Sequence, residues 1–291
     1  MAEDTSVPKP NIIWIASYPK SGNTWARIFL SNLLENLATD RADEYNINSL
    51  MRWSKRDAAL RHYKRRLNKP IEEATASEIA VLRAEVQANL ARDAEAPVYV
   101  KTHNAVATVE GAPTINFDAT KGAIYFVRNP LDVAISYSHH LSISIDEVID
   151  YMADADATTS LYNDKLIYEF MSSWSLNVAS WFSIANRPVL IVRYEDMLTA
   201  PQNAFGRIVS FLDLKATSDQ IDQAIEHSSF ERLSRQEAEN GFVERPANSS
   251  RFFRSGKAGQ WKTELSQNQI RKIVKSHSAM MMRCGYLSER C

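Results

Sequence analysis

A short run of residues, Tyr18–Trp25 (YPKSGNTW), combines a lysine and a glycine with hydroxyl and amide side chains. It follows an apolar, strand-like stretch, Asn11–Ser17, and opens a helix-like stretch, Thr24–Leu37. Backbone N–H groups at a helix N-terminus bind anions with the help of the helix dipole, and Lys20 adds a full positive charge. Because Lys20 precedes Gly22, the order differs from the nucleoside-triphosphatase loop G-x-x-x-x-G-K-S/T. The run therefore predicts a phosphate-binding loop of a different kind.

Three later segments place cations or an imidazole directly after apolar stretches. They are Lys101 with His103, then Arg128, then Arg193 with Tyr194. The ordinary pKa of histidine, about 6.5, leaves it largely neutral at working pH, which suits a general base. Taken alone, a histidine at a strand end is more often structural than catalytic. Beside a phosphate-binding loop, His103 is the best candidate base in the chain.

The elements that must position these residues are four short runs rich in β-branched and aromatic residues, with helical patterns between them. The runs are Ile12–Ser17, Val98–Thr102, Ala123–Arg128 and Val189–Tyr194. This alternation predicts an α/β fold: three layers, α/β/α, around a P-loop-like parallel sheet with helical insertions. Ligands of such sheets bind at the carboxyl ends of the strands, where the cations and the imidazole fall. The sequence thus predicts one pocket for a polyanion.

The domain organisation is predicted to be simple. We expect a flexible tail over residues 1–10 and a single domain over residues 11–291. Residues 40–96 are polar with helical periodicity and predict a helical insertion. Residues 240–255 are turn-rich and aromatic and predict a mobile loop near the site. The last helix is predicted near Ser266–Cys284, ending at a glycine.

Composition limits the classes of function. The 291 residues are 45% hydrophobic and 24% charged, as in ordinary globular proteins, and the net charge is -1. A net charge this close to zero gives no overall electrostatic attraction to nucleic acid, so no nucleic-acid partner is expected. The sequence shows no pattern of a transmembrane segment or a signal peptide. Two cysteines, Cys284 and Cys291, give no disulfide framework, and a reducing cytoplasm is the expected location.

Four segments, taken in order, resemble the motifs of sulfotransferases that use 3'-phosphoadenosine-5'-phosphosulfate (PAPS). They are YPKSGNTW at 18–25, Lys-Thr-His at 101–103, VRNPLDVAISY at 127–137 and RSGKAGQWK at 254–262. The resemblance implies transfer of a sulfuryl group from PAPS to a hydroxyl, or as a second choice an amine, of a small-molecule acceptor. Adenosine 3',5'-bisphosphate (PAP) would be the product, and no metal is implied.

The resemblance also implies residue roles. His103 would act as general base, Lys20 would stabilise the leaving phosphate, and Lys101 would balance charge on the sulfuryl oxygens. The residues implied in donor binding are Lys20, Ser21, Gly22, Asn23, Thr24, Trp25, Arg128, Ser136, Tyr194, Ser228, Phe230, Arg254, Ser255 and Gly256. The three aromatic residues of this set would recognise adenine by stacking, although each could equally pack in the core.

The sequence departs from the family at three places. Asn104-Ala105 stands where Leu-Pro is usual, which changes the expected shape of the acceptor pocket, and Ser255 stands where lysine is common, which removes one charge near the 3'-phosphate. The dimer motif of the animal cytosolic enzymes is incomplete after Lys262, so the oligomeric state is left open. The acceptor is also open. Aromatic residues expected around it favour a partly apolar alcohol or phenol: Trp53, Tyr151, Phe242, Phe252 and Phe253.

Two other functions compete with sulfuryl transfer. A magnesium-dependent P-loop kinase would need a carboxylate at the third strand end, where Arg128 stands instead. Asp132, a few residues later, is expected to serve the dipole of the next helix rather than a metal. A nucleotide-binding scaffold would not need both Lys101 and His103. His139-His140 is read as a substrate-side or structural pair, and the basic stretch at 52–69 as a solvated helix face.

Overall fold

A computed structural model describes residues 10–40, 43–159, 165–246 and 249–288. The first nine residues of the predicted tail, and positions 247–248 of the predicted mobile loop, lie outside these ranges. The strands are β1 Ile12–Ser17, β2 Ser54–Arg56, β3 Val98–Thr102, β4 Thr108–Val109, β5 Ala112–Pro113, β6 Thr120–Val127 and β7 Val189–Arg193. The helices are α1 Asn23–Thr39, α2 Leu60–Lys64, α3 Ala76–Arg92, α4 Pro130–Leu141, α5 Ile145–Ala153, α6 Trp174–Phe182, α7 Tyr194–Thr199, α8 Pro201–Phe211, α9 Ser218–His227, α10 Phe230–Asn240, α11 Trp261–Glu264 and α12 Gln267–Arg283. Two short 3-10 helices span Ile47–Arg52 and Ile71–Glu73.

Five parallel strands form the central sheet in the order β2-β3-β1-β6-β7, while β4 and β5 form a separate hairpin. All four strands predicted from the sequence are present, with β6 starting earlier than expected. The chain moves to one side of β1 for β2 and β3, then crosses to the other side for β6 and β7. A crevice is expected where the strand order reverses in this way. The register aligns the carboxyl ends, since Ala16 lies opposite Thr102 and Ser17 opposite Phe126.

Side chains of the inner strands alternate between two apolar layers. On β1, Trp14 packs on the face covered by α4, α5, α6 and α12, whereas Ile15 packs on the face covered by α1, α8 and α9. On β6, Tyr125 and Phe126 divide between the same two faces. Successive side chains of a strand point to opposite faces, and both faces of this sheet are buried. The strands therefore appear in the sequence as continuous apolar runs. The predicted three-layer α/β/α fold is confirmed.

Residues 40–96 contain a component that the helical pattern did not predict. Ser54–Arg56 pairs in parallel with β3 and adds an edge strand to the sheet. Helices α2 and α3 and the second 3-10 helix pack around a small apolar cluster that includes Tyr63 and Ile79, while the first 3-10 helix packs in a different cluster through Ile47 and Leu50. The region therefore extends the sheet as well as covering it. No helix among the described residues is long and apolar enough to cross a membrane.

Candidate functional site

The loop between β1 and α1 is shaped as an anion-binding turn. Gly22 precedes α1 with φ 101°, and a Cβ at this position would lie 2.9 Å from the ring of Tyr194. Glycine is required for both reasons. Helix α1 has no side-chain cap and no acidic residue in its first turn, so side chains leave its N-terminal N–H groups free. The buried hydroxyl of Ser21 has no hydrogen-bond partner.

The residues predicted to bind the donor and to do chemistry meet at one cavity of about 1260 Å³. Of the predicted set, only Ser21 does not line it. The lining predicted residues are Lys20, Gly22, Asn23, Thr24, Trp25, Lys101, His103, Arg128, Ser136, Tyr194, Ser228, Phe230, Arg254, Ser255 and Gly256. Segments separated by more than two hundred positions thus share one site at the carboxyl edge of the sheet.

His103 lies directly after β3 with a defined tautomer. Its Nδ1 is 2.8 Å from the backbone carbonyl oxygen of Ser17. A carbonyl can only accept, so Nδ1 carries the proton and Nε2 is left with its lone pair. Burial, and next the charge of Lys101, lower the pKa of His103 to about 3. The imidazole is therefore neutral at pH 7 and able to accept a proton.

Two lysines that line the cavity have lowered pKa values. Burial, and then the charges of Arg128 and Arg254, lower the pKa of Lys20 to about 8. Burial also lowers the pKa of Lys101 to about 7, with Arg56 as the next cause. The ammonium of Lys20 lies 4.5 Å from the ring centroid of Phe252. An anionic ligand would compensate both lysines and favour their charged forms.

Arg128 joins the anion loop to the C-terminal segment. Its Nη1 donates to the carbonyl oxygen of Lys20 at 3.1 Å, and its Nη2 donates to that of Lys257 at 3.0 Å. The guanidinium carbon lies 4.2 Å from the ring centroid of Tyr194, and the buried Nε has no partner. The same ring of Tyr194 meets Trp25 edge to face at 5.8 Å. These contacts build an aromatic and cationic wall on the donor side.

Asp132 has a role that the sequence reasoning missed. It lies in the first turn of α4, as expected, but its carboxylate also accepts the backbone N–H groups of Gly259 at 2.7 Å and Trp261 at 3.1 Å. Each carboxylate oxygen is used in one of these bonds. Asp132 therefore fixes the glycine-containing C-terminal segment against the start of α4. Among the described residues, no group of three or more His, Cys, Asp or Glu side chains could hold a metal ion.

A flat aromatic surface borders the cavity at the start of α10. Phe230 is exposed, and the backbone of Gly256 lies against it so closely that a Cβ there would be 2.4 Å from the ring. Ser228 lines the cavity but is fully buried, and its hydroxyl donates to the carbonyl oxygen of Ala224 at 2.8 Å. The Asn23 amide is likewise used internally, donating to the carbonyl oxygen of Ile15 at 2.8 Å. Both side chains therefore make internal hydrogen bonds that support the wall of the cavity.

The expected acceptor-side residues divide into two groups. Tyr151, Phe252 and Phe253 line the cavity, whereas Trp53 and Phe242 do not. The indole of Trp53 donates to Glu35 at 2.9 Å, and Phe242 packs in a core cluster. Both were predicted near the acceptor only because they are aromatic. The positions of Trp53 and Phe242 are explained by their contacts within the protein.

Several cavity residues were not singled out by the sequence. Glu169 and Glu244 line it, and so does Arg56 from the basic stretch at 52–69. The interpretation of that stretch as a solvated helix face holds only for α2, where Arg61 and Lys64 are exposed, because Arg56 lies on the edge strand β2. Of the His139-His140 pair, which the sequence did single out, His140 lines the cavity, with Nδ1 3.5 Å from the Lys20 ammonium. No local motif marks these charges, because strand pairing and chain crossings bring them together.

The fold is an α/β fold of the P-loop-like class, with a cation-lined cavity at the carboxyl edge of its parallel sheet. Residues 10–285 match the sulfotransferase domain family, and the chain belongs to that family. The prediction of a sulfotransferase is confirmed at this level. Dog sulfotransferase 1A1 is 25% identical over 283 residues, covering 95% of this chain and 85% of that protein. Dog sulfotransferase 1B1 is 27% identical over 273 residues, covering 91% and 81%.

A solved structure, mouse sulfotransferase SULT7A1 complexed with PAP, has the same fold. It superimposes with a TM-score of 0.59 at 21% identity, covering 95% of this chain and 87% of the mouse chain. The central sheet with its flanking helices is therefore shared over nearly the whole length.

Proposed function

We propose that this protein transfers the sulfuryl group of PAPS to a hydroxyl group of a small-molecule acceptor. One observation carries the proposal. His103 donates from Nδ1 to the carbonyl oxygen of Ser17, the residue at the end of β1 just before the anion loop, so a neutral base and the loop face the same cavity. The names of the relatives, and the PAP bound to the mouse structure, support this reading.

The residues present fit an anionic adenosine nucleotide. Two buried polar atoms on residues that line the cavity have no partner: Trp25 Nε1 and Arg128 Nε. Buried polar atoms are rarely left unpaired, so a bound ligand would remove a cost that the free protein carries. The helix N-terminus and Lys20 suit the 5'-phosphosulfate. Arg128, Ser136 and the segment Arg254–Gly256 suit the 3'-phosphate, and Phe230 offers a face for adenine.

The donor, when bound, supplies an activated sulfuryl group, and the chain supplies the base and the charges around it. His103 would take the acceptor proton at Nε2. Its pKa of about 3 in the free protein makes it a weak base, because burial and Lys101 disfavour the imidazolium. Negative charge brought in beside Lys20 and Lys101 would raise that pKa toward the working range. Lys20 would stabilise the departing phosphate, and Lys101 the sulfuryl oxygens.

The kinase alternative lacks a free carboxylate where it needs one. Arg128 follows β6, and the oxygens of Asp132 already accept two backbone N–H groups. Both oxygens of Asp132 thus already serve to hold the C-terminal segment. This geometry favours a nucleotide bound through cations and backbone N–H groups.

Thermal unfolding with PAP, and separately with magnesium and ATP, each repeated in EDTA, tests the donor. Ligand at a hundred times its dissociation constant adds about 2.7 kcal/mol, which should raise the midpoint by several degrees. We expect a shift with PAP that survives EDTA, followed by PAP release when PAPS is supplied with a panel of phenols and alcohols. His103→Ala should abolish turnover while PAP still binds. A shift seen only with magnesium and ATP would replace this proposal with the kinase.

A further inference from the structure

A carboxylate that belongs to none of the sulfotransferase-like motifs lies against the proposed base. Glu169, on the segment before α6, is only 6% exposed and lines the cavity. Its Oε1 accepts the backbone N–H of His103 at 2.6 Å and the hydroxyl of Thr102 at 3.4 Å. The Glu169 N–H in turn donates to Thr159 Oγ1 at 2.8 Å. The carboxylate is thus held firmly at the end of β3.

The hydrogen bond from the His103 N–H does not by itself explain why a charged glutamate stands at position 169. A neutral glutamine would accept the same N–H, whereas taking a carboxylate out of water costs several kcal/mol unless cations compensate it. Burial alone would raise the pKa of Glu169, but its interactions with His103 and Lys101, including the N–H bond from His103, outweigh burial and lower it. The carboxylate is therefore ionised at neutral pH beside the two groups proposed for chemistry.

Other charged and titratable groups surround this cluster from α1, β2, α2, α4 and the segment after α10. Those that interact with Glu169, Lys101 or His103 are Arg27, Arg56, Asp57, Tyr63, Tyr137, His140 and Glu244. Arg27 and Arg56 pair with Glu244. Glu169 is the carboxylate in direct contact with the backbone of His103.

We propose that Glu169 is a positioning residue for sulfuryl transfer. It fixes the Lys101–His103 segment, and its negative charge favours the protonated form of Lys101 and the imidazolium that His103 becomes. The inference rests on the proposed function. In that reaction the acceptor oxygen bonds to sulfur and its proton moves to His103 Nε2. The bond from sulfur to the bridging phosphate oxygen breaks, and its electron pair leaves with the phosphate.

Two substitutions separate charge from packing. Glu169→Gln keeps the size and an acceptor for the His103 N–H but removes the charge, whereas Glu169→Asp keeps the charge. Glu195→Gln is a matched control, because Glu195 accepts a backbone N–H from Asn129 at 3.0 Å on the donor side, away from the base. Circular dichroism establishes that each variant is folded.

The first readout does not depend on activity. NMR titration of 13C-labelled lysine side chains in the donor-free protein follows Lys101, whose signal is identified by its loss in Lys101→Met. The wild-type signal should titrate near pH 7, where burial and Arg56 place the pKa of Lys101. It should titrate lower in Glu169→Gln and near the wild-type position in both Glu169→Asp and Glu195→Gln.

The second readout is kcat against pH with PAPS and a phenol acceptor. Glu169→Gln should lower kcat by about tenfold or more, since one unit in the pKa of a base corresponds to a tenfold change. Glu169→Asp should restore part of the loss. An unchanged Lys101 titration in a folded Glu169→Gln variant would overturn the inference, whatever the rate. If the pKa of Lys101 shifts as expected but the wild-type protein transfers no sulfuryl group, the electrostatic coupling of Glu169 to Lys101 is confirmed and the proposed function is wrong.

Discussion

The guanidinium of Arg27 and the carboxylate of Glu244 form a buried ion pair, with Nη1 and Oε1 2.9 Å apart. The Arg27 side chain is 0% exposed and that of Glu244 is 10% exposed. Glu244 also accepts from Thr24 Oγ1 at 3.4 Å, and Arg56 lies 3.6 Å away. The pair joins the first helix to the segment after α10. Part of the predicted mobile loop is thereby tied to the anion site, while its mobility stays a prediction.

Glu244→Gln should destabilise the protein strongly. Removing one partner of a buried pair leaves an uncompensated charge, which costs about 3–5 kcal/mol. The Arg27 Nη2 atom already has no partner, so the guanidinium has little alternative compensation. Denaturant unfolding gives the free energy of unfolding for comparison with wild type.

Asp146→Asn is the control for that measurement, because Asp146 pairs with Lys272 on the surface, and exposed pairs contribute little. A Glu244→Gln protein no less stable than Asp146→Asn would show that the buried pair does not hold the segment.

Gly256→Ala should weaken PAP binding by about tenfold or more. The residue has φ 62°, and a Cβ would lie 2.4 Å from Phe230, so the ring or the segment must move. Left-handed backbone alone costs a non-glycine residue about 1–2 kcal/mol. Gly259→Ala is the matched control, because φ is 80° there and nothing lies within 4 Å of the added Cβ. Calorimetric titration with PAP compares the two. Equal losses in both variants would attribute the effect to backbone strain and not to Phe230.

Sequence patterns were sufficient for four of the five strands of the described central sheet and for the local parts of the site. Strands buried on both faces read as apolar runs, and the turn from β1 into α1 is encoded in consecutive residues of Tyr18–Trp25. The Lys101–His103 and Arg128 positions followed because parallel strands end at one edge. Each of these inferences depends on short-range order along the chain.

The parts of the site that the sequence did not predict depend on contacts between residues that are far apart in the chain. Arg27 reads as an ordinary position on α1, yet Glu244 reaches it from more than two hundred residues away. Glu169 meets His103 across 66 positions without any motif. In the sequence, Asp132 looks like an ordinary acidic residue in the first turn of a helix. Its bonds to the backbone N–H groups of Gly259 and Trp261 form only when the C-terminal segment is folded against it. Tertiary packing determines all three.

Asp132→Asn should weaken PAP binding without introducing or removing any dependence on magnesium. An asparagine can accept only one of the two backbone N–H groups, and its amide would face the other donor. The segment around Gly259 should therefore loosen, with a loss of about 1–3 kcal/mol in stability and a higher dissociation constant for PAP. Titrations with PAP are run in magnesium and in EDTA. Wild-type binding that requires magnesium and is lost in Asp132→Asn would assign this carboxylate to a metal instead.

The affinity for PAP should fall as pH rises. Burial lowers the pKa of Lys20 to about 8 and that of Lys101 to about 7, so both ammonium groups lose protons in the free protein over an accessible range. Phosphate groups are already fully ionised there, since their second pKa is about 6. A bound polyanion favours the charged lysines, so binding takes up protons and weakens as they become scarce.

Calorimetry from about pH 7 to about pH 9.5 checks that sign. A hydrogen bond to a charged group contributes about 1.5–3 kcal/mol, so the loss should be about tenfold or more. Lys20→Met should bind weakly throughout and show a flatter dependence, while Lys272→Met, which removes only a surface cation, should follow wild type. An affinity that stays constant over this range would mean that neither Lys20 nor Lys101 changes protonation when the nucleotide binds.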